Sequence, residues 1–306
     1  MIFVLIFFSL PTFAQTHSLD EKLIDYINAF QISVPKTVTK DKPDLFEFGR
    51  KLFQDKNLSL SNNITCMTCH HPNLGTGDSL PFSIGTGGRG HGVGRFQNGA
   101  GLTPRNAPHL YNKGHSSLTT MFWDGRVSHN IKNGVFKTPD QGLNGEYPLY
   151  WKITSKIENV MAMQALFPIA SVTEMRGDKF KKLSNFQVWE IVSKRVLSSQ
   201  FYEEDLKNYN KDDFNIADIA NALAYYQKVE FQVNDTPLDK YIKGDLNKLS
   251  LREKKGAKLY FEKARCARCH RGELLSNKVF QSIGVPQIGP GVTQDKNDEG
   301  RFLING

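Results

Sequence analysis

Apolar residues along this chain recur mostly at helical spacing. Between Asn215 and Glu230, Ile216, Ile219, Ala220, Leu223 and Ala224 fall on one face, the pattern of a helix that buries a stripe. Tyr225 and Tyr226 in the same run are expected to pack into the core. Three helix starts are signalled by a Ser followed three residues later by Glu or Gln: Ser18 with Glu21, Ser184 with Gln187, and Ser250 with Glu253. The stretch SIGTGGRGHGVGRFQNGAG, residues 83–101, is too rich in glycine for a regular element. No strand pattern precedes it and no phosphate-loop lysine closes it, so it reads as a long loop. Asn234-Asp235-Thr236-Pro237 has turn character and marks a boundary. The first fourteen residues, MIFVLIFFSLPTFA, are apolar and uncharged. They fall short of the ~20 residues that span a bilayer, and Thr12-Phe13-Ala14 reads as a signal-peptidase site.

Composition adds bounds. The 306 residues, 39% hydrophobic and 23% charged, suit a globular protein of about two domains. A net charge of +8 favours acidic partners on encounter. No basic run is interleaved with aromatics, so nucleic acid is not an expected partner.

All four cysteines fall in two copies of one pattern, Cys66-Met67-Thr68-Cys69-His70 and Cys266-Ala267-Arg268-Cys269-His270. Each pair is spaced by two residues and followed at once by His, the attachment signature of haem c. On one helical turn, residues i and i+3 share a face, so both thiols can meet the two vinyl groups of one porphyrin edge while the histidine points at the iron. A zinc site would need four ligands together, and a thioredoxin-like pair would need a βαβ setting. The copies extend outward. Gly49-Arg50-Lys51-Leu52-Phe53 precedes the first motif and Gly256-Ala257-Lys258-Leu259-Tyr260 the second; Ser83-Ile84-Gly85 follows the first and Ser282-Ile283-Gly284 the second. The expected fold is therefore mainly α, with two cytochrome c-like helical haem domains. Residues 1–14 form a signal peptide, 15–232 a first haem domain, and 233–306 a second, incomplete one.

In order, LFQDKNLS, PRNAPHLYN, FWDGR, QALFPIASVTEM, the second thiol motif and DEGRF resemble the bacterial di-haem cytochrome c peroxidases and their MauG-type relatives, from about Leu45 onward. The resemblance implies two covalently bound haems c. His70 would be the proximal ligand of the peroxidatic haem and His270 that of the electron-accepting haem. It implies Trp123 as an electron stepping point, Gln164, Pro168 and Glu174 as the distal trio, and Asn106 as a calcium ligand. The implied activity is periplasmic reduction of hydrogen peroxide by a small cytochrome c or cupredoxin, and a homodimer is compatible with it. A carboxyl such as Glu174 suits the proton movement that O–O cleavage needs.

Three departures accompany the resemblance. The family often carries a removable histidine in SIGHG where this chain has Thr86, a poor iron ligand. The expectation is an open first haem, with His91 and His115 as alternative ligands. No methionine follows Met175 and neither His nor Tyr follows His270, so the usual sixth ligand of the second haem is expected beyond Gly306. Residues 134–158, with Tyr147, Tyr150 and Trp151, read as an insertion in a long loop that shapes partner or substrate choice. Two further functions stay open: a MauG-type oxidase acting on Trp or Tyr of a partner protein, and a non-catalytic electron carrier.

Overall fold

The computed structural model describes residues 18–97, 99, 101–145, 147–287, 291 and 298–305; the expected signal peptide, 1–14, lies outside them. The helices in chain order are α1 (Leu19–Ala29), α2 (Pro43–Gln54), α3 (Cys66–Cys69), α4 (Trp151–Thr154), α5 (Val160–Ala170), α6 (Asn185–Ser198), α7 (Ile216–Glu230), α8 (Pro237–Ile242), α9 (Leu251–Phe261) and α10 (Phe302–Asn305). Short strands β1 (Thr120–Met121), β2 (Val127–Asn130) and β3 (Val135–Lys137) form one antiparallel sheet in the order β1-β2-β3, with Thr120 opposite Ser128 and Ser128 opposite Lys137. The protein is mainly helical, as its periodicity predicts. All three predicted capping boxes form, at Ser18, Ser184 and Ser250.

Two compact units emerge: one from the described residues up to Lys36 together with Asn234–Val279, the other from Thr37–Val233 with Phe280 onward. The boundary expected at 232/233 falls beside this division, but α1 joins the unit of the second motif. The cause is its apolar face. Leu23 and Ile27 are buried with Tyr241 of α8, and Asp20 accepts the Tyr241 hydroxyl at 2.7 Å while pairing with Lys254 at 2.7 Å. Phe261 of α9 stacks on Tyr26 at 5.2 Å.

The larger unit is built on α2 crossing α7. Gly49 allows it: a Cβ there would lie 2.1 Å from the Ala222 carbonyl oxygen, so any side chain would force the helices apart. Tyr226 packs against Phe46 and Phe53, while the Tyr225 hydroxyl reaches outward to Asp41. Behind them α5 packs on α7, and the buried Trp189 of α6 donates its indole N–H to the Leu166 carbonyl at 3.0 Å. The stretch 134–158 is not the loop expected. It supplies β3, two 3₁₀ turns and α4, buries Leu143 and Ile153, and sets Tyr150 edge-on against Trp189 at 6.2 Å.

Candidate functional site

The first thiol motif occupies one helical turn. Thr65 caps it, accepting the Thr68 N–H while Thr68 Oγ1 accepts the Thr65 N–H, and the His70 N–H closes the turn on the Cys66 carbonyl at 2.9 Å. His70 Nδ1 lies 3.0 Å from the Thr76 carbonyl. A carbonyl only accepts, so Nδ1 carries the proton and Nε2 keeps the lone pair a metal needs. The second motif, on a 3₁₀ turn without a side-chain cap, repeats the histidine contacts. The His270 N–H bonds Cys266 at 2.9 Å, and His270 Nδ1 meets the Leu275 carbonyl at 3.2 Å. The supporting backbone repeats as well: Thr76 and Ser79 adopt positive φ after the first motif, Leu275 and Lys278 after the second. The outer parts of the repeat diverge. Leu52 and Ile84 are buried, whereas their counterparts Leu259 and Ile283 are exposed.

The chemistry of the donors separates the competing readings. The cysteines are not joined in disulfides. Burial pushes the Cys66 and Cys69 thiols up to about 12, the reverse of the lowered pKa a redox pair requires. Among the described residues no three His, Cys, Asp or Glu side chains converge as a metal site. Two thiols on one turn plus an imidazole with a free Nε2 fit haem c. They would hold it at Cys66, Cys69 and His70, and again at Cys266, Cys269 and His270.

Glu174 lies in a single π-helical turn, Val172–Arg176, immediately after α5. Burial raises its pKa, opposed by the charge of Arg126 and by a hydrogen bond from Ser171. Its charge is felt at the Cys66 and Cys69 thiols, which brings it to the first motif. The glycine-rich loop latches onto the same turn. The Thr86 N–H donates to the Glu174 carbonyl at 2.8 Å, and a Cβ at Gly85 would lie 1.7 Å from the Thr173 carbonyl oxygen. The Thr86 hydroxyl is turned away to Asn63 Oδ1 at 2.6 Å. Of the alternative ligands, His91 is exposed, and His115 Nδ1 bonds Ser117 Oγ at 2.8 Å.

Gln164 and Pro168 stand one turn apart on α5. Pro168 has no N–H to give the Gln164 carbonyl, so this helix carries an unmade bond next to the Glu174 turn. Trp123 is half exposed. The Arg105 guanidinium lies 3.4 Å from its ring centroid and pairs with Asp298 at 2.5 Å. Asn106 is exposed, its amide nitrogen directed at the Leu80 carbonyl and, at 3.4 Å, at Asp78 Oδ1.

Two arginines escaped the sequence reading. Arg95, in the glycine-rich loop, is buried and donates to three carbonyls: Nε to Ile84 at 2.8 Å, Nη2 to Gly85 at 2.7 Å and Nη1 to Gly90 at 3.1 Å. Arg126, in FWDGR, pairs with Asp124 at 3.0 Å and stacks on Phe122, and its charge is felt at Glu174. Nothing in the loop's composition singled out Arg95. Arg126 was visible only as part of its motif.

A mainly helical chain that twice presents two thiols and an oriented imidazole on one turn is a protein of the cytochrome c type with two haem motifs. It belongs to the di-haem cytochrome c peroxidase family, whose model matches residues 43–247, and this is a family of oxidoreductases. It is 29% identical over 251 residues to a cytochrome c551 peroxidase of Nitrosomonas europaea, covering 82% of this chain and 58% of that protein. It is 25% identical over 300 residues to the Pseudomonas aeruginosa cytochrome c551 peroxidase, covering 96% and 71%. The methylamine utilization protein MauG of Methylorubrum extorquens is 24% identical over 245 residues, covering 79% and 54%. Among solved structures, a MauG-like protein associated with microbial copper homeostasis shares the fold at TM-score 0.51 and 22% identity, over 82% of this chain and 61% of that one. The di-haem peroxidase BthA of Burkholderia thailandensis does so at 0.50 and 17%, over 78% and 53%. The chain thus spans between about half and seven tenths of these relatives' lengths.

Proposed function

We propose that this protein is a periplasmic di-haem c peroxidase that reduces hydrogen peroxide to water with electrons from a small cytochrome c or cupredoxin. The haems attach covalently at the two thiol motifs. The observation that carries the reading is Glu174, held beside the first motif by a π turn and kept toward its neutral form by burial. Haem iron supplies the electrons and Lewis acidity for O–O cleavage when bound. Glu174 would hold and move the proton that O–O cleavage needs, and Arg126 limits how far its pKa climbs. Gln164, one turn before Pro168 on α5, has the role of ordering water. Trp123, under Arg105, would serve as an electron stepping point. Two electrons and two protons enter per peroxide, and two waters leave.

Calcium fits less well. Asn106 turns its amide nitrogen, not its oxygen, toward the buried Asp78, whereas calcium takes six to eight oxygen ligands, and no step depends on it. A second reading, a MauG-type oxidase, is favoured by Thr86, whose hydroxyl is committed to Asn63. Peroxide turnover with a reduced small cytochrome tests the first reading. Glu174→Gln should lower kcat by ~10²–10⁴ with both haems still attached by mass. Rapid turnover by that variant, or none by the parent with any donor, refutes the peroxidase. Peroxide-dependent oxidation of a Trp or Tyr in a co-expressed protein identifies the oxidase.

A further inference from the structure

The two thiol motifs lie in opposite electrostatic settings. Residues 263–278, which enclose the second, carry Lys263, Arg265, Arg268, Arg271 and Lys278 against one acid, Glu273. The matching stretch around the first, 63–78, has no Lys or Arg and one acid, Asp78. All five cations are exposed, as is His270. Four other lysines of this unit do have acidic partners, among them Lys254 with Asp20 at 2.7 Å, Lys240 with Asp235 at 3.0 Å and Lys258 with Glu262 at 3.9 Å. The five around the motif have no ion-pair partner among the described residues. Like charges gathered without counter-charge repel one another, and an approaching negative surface relieves that repulsion.

We infer that this rim is the docking face for a small acidic redox protein, which delivers its electrons at the second motif. The inference rests on the peroxidase reading for the direction of electron flow, but the charge preference stands on the residues alone. A polynucleotide is a poorer fit. The nearby aromatics are turned inward, Phe261 onto Tyr26 and the Tyr260 hydroxyl onto the His270 carbonyl, so no stacking platform accompanies the charge. The place of the cations also matters, because all five fall within eight residues of His270 in sequence and are exposed, where a donor to the second motif would approach.

The test uses the haem-loaded protein and two cupredoxins of one fold, one acidic and one basic. Binding is followed by calorimetry and donor oxidation by absorbance, each at low and moderate salt. The acidic donor should bind at least ~10-fold more tightly, and its advantage should shrink as the screening length shortens toward ~8 Å. The triple variant Lys263→Glu/Arg271→Glu/Lys278→Glu should reverse the preference with both haems and their spectra unchanged. Equal binding of the two donors without salt dependence overturns the inference, as does binding to duplex DNA or anionic phospholipid vesicles in place of the acidic donor. Salt-sensitive binding of the acidic donor without peroxide turnover supports the docking face while refuting the peroxidase reading. Turnover that favours the basic donor refutes the docking face and leaves the peroxidase standing.

Discussion

Arg95→Met isolates what holds the glycine-rich loop against the Glu174 turn. The substitution keeps an unbranched apolar stem and removes every donor. Two of its three bonds are fully buried, those to Ile84 and Gly85, and each stranded carbonyl costs ~1–3 kcal/mol. The half-exposed bond to Gly90 adds ~0.5–1.5 kcal/mol. Burial already disfavours the Arg95 charge, so removing it returns part of that cost. Asp78 works the other way. Its fully buried carboxylate has one oxygen without a partner and feels the Arg95 charge. The net loss is ~2–4 kcal/mol, falling on the loop rather than on the α2–α7 core. Amide hydrogen exchange reads it directly. The Thr86 N–H, bonded to Glu174, and the Arg89 and Phe96 N–H groups, bonded to each other's carbonyls, should exchange roughly 30- to 1,000-fold faster. Amides of α7 should hold their protection. Arg89→Met, at an exposed position of the same loop, carries the same charge change and should leave exchange within about threefold. If Arg95→Met exchanges no faster than that control, the clamp is not what fixes the loop.

Gly85→Ala drives a Cβ to within 1.7 Å of the Thr173 carbonyl oxygen, so urea unfolding should show a loss of at least ~2 kcal/mol. Glu174→Gln should stabilise the haem-free chain in a pH-dependent way. The raised carboxyl pKa means that the unfolded chain ionises first, so wild-type stability falls as pH climbs from the unfolded toward the folded pKa. The variant's advantage should be present at pH 8 and vanish near pH 3, in parallel thermal melts. Tyr241→Phe removes the hydroxyl held by Asp20 at 2.7 Å. A loss of ~0.5–1.5 kcal/mol, with faster exchange confined to α1, α8 and α9, would confirm that α1 belongs to this unit; unchanged α1 exchange would argue against it.

Local chemistry made most of the architecture readable. Capping boxes at Ser18, Ser184 and Ser250 and the stripe on α7 are short-range patterns, and each forms as written. The repeated thiol motifs were equally legible, because their spacing is dictated by one turn of backbone. What the sequence concealed depends on contacts distant along the chain. Arg95 in a run of glycines reads as a solvated cation, and only the folded loop brings three carbonyls around it. Residues 134–158 looked like a loop because no long period runs through them, yet Leu143, Tyr150 and Ile153 are each tied into the core singly. Helix α1 sits next to the first unit in sequence, but its apolar face matches Tyr241, more than two hundred residues away.

The histidine Nδ1–carbonyl contacts have one more implication. His70 and His270 are each backed by a neutral amide oxygen rather than a carboxylate, so neither ring is pushed toward imidazolate character. Metals bound behind two such equivalent rings would receive the same electron donation from below. Any gap between their reduction potentials would then have to arise on the opposite faces and from the nearby field, where Glu174 attends one motif and a crown of arginines and lysines the other.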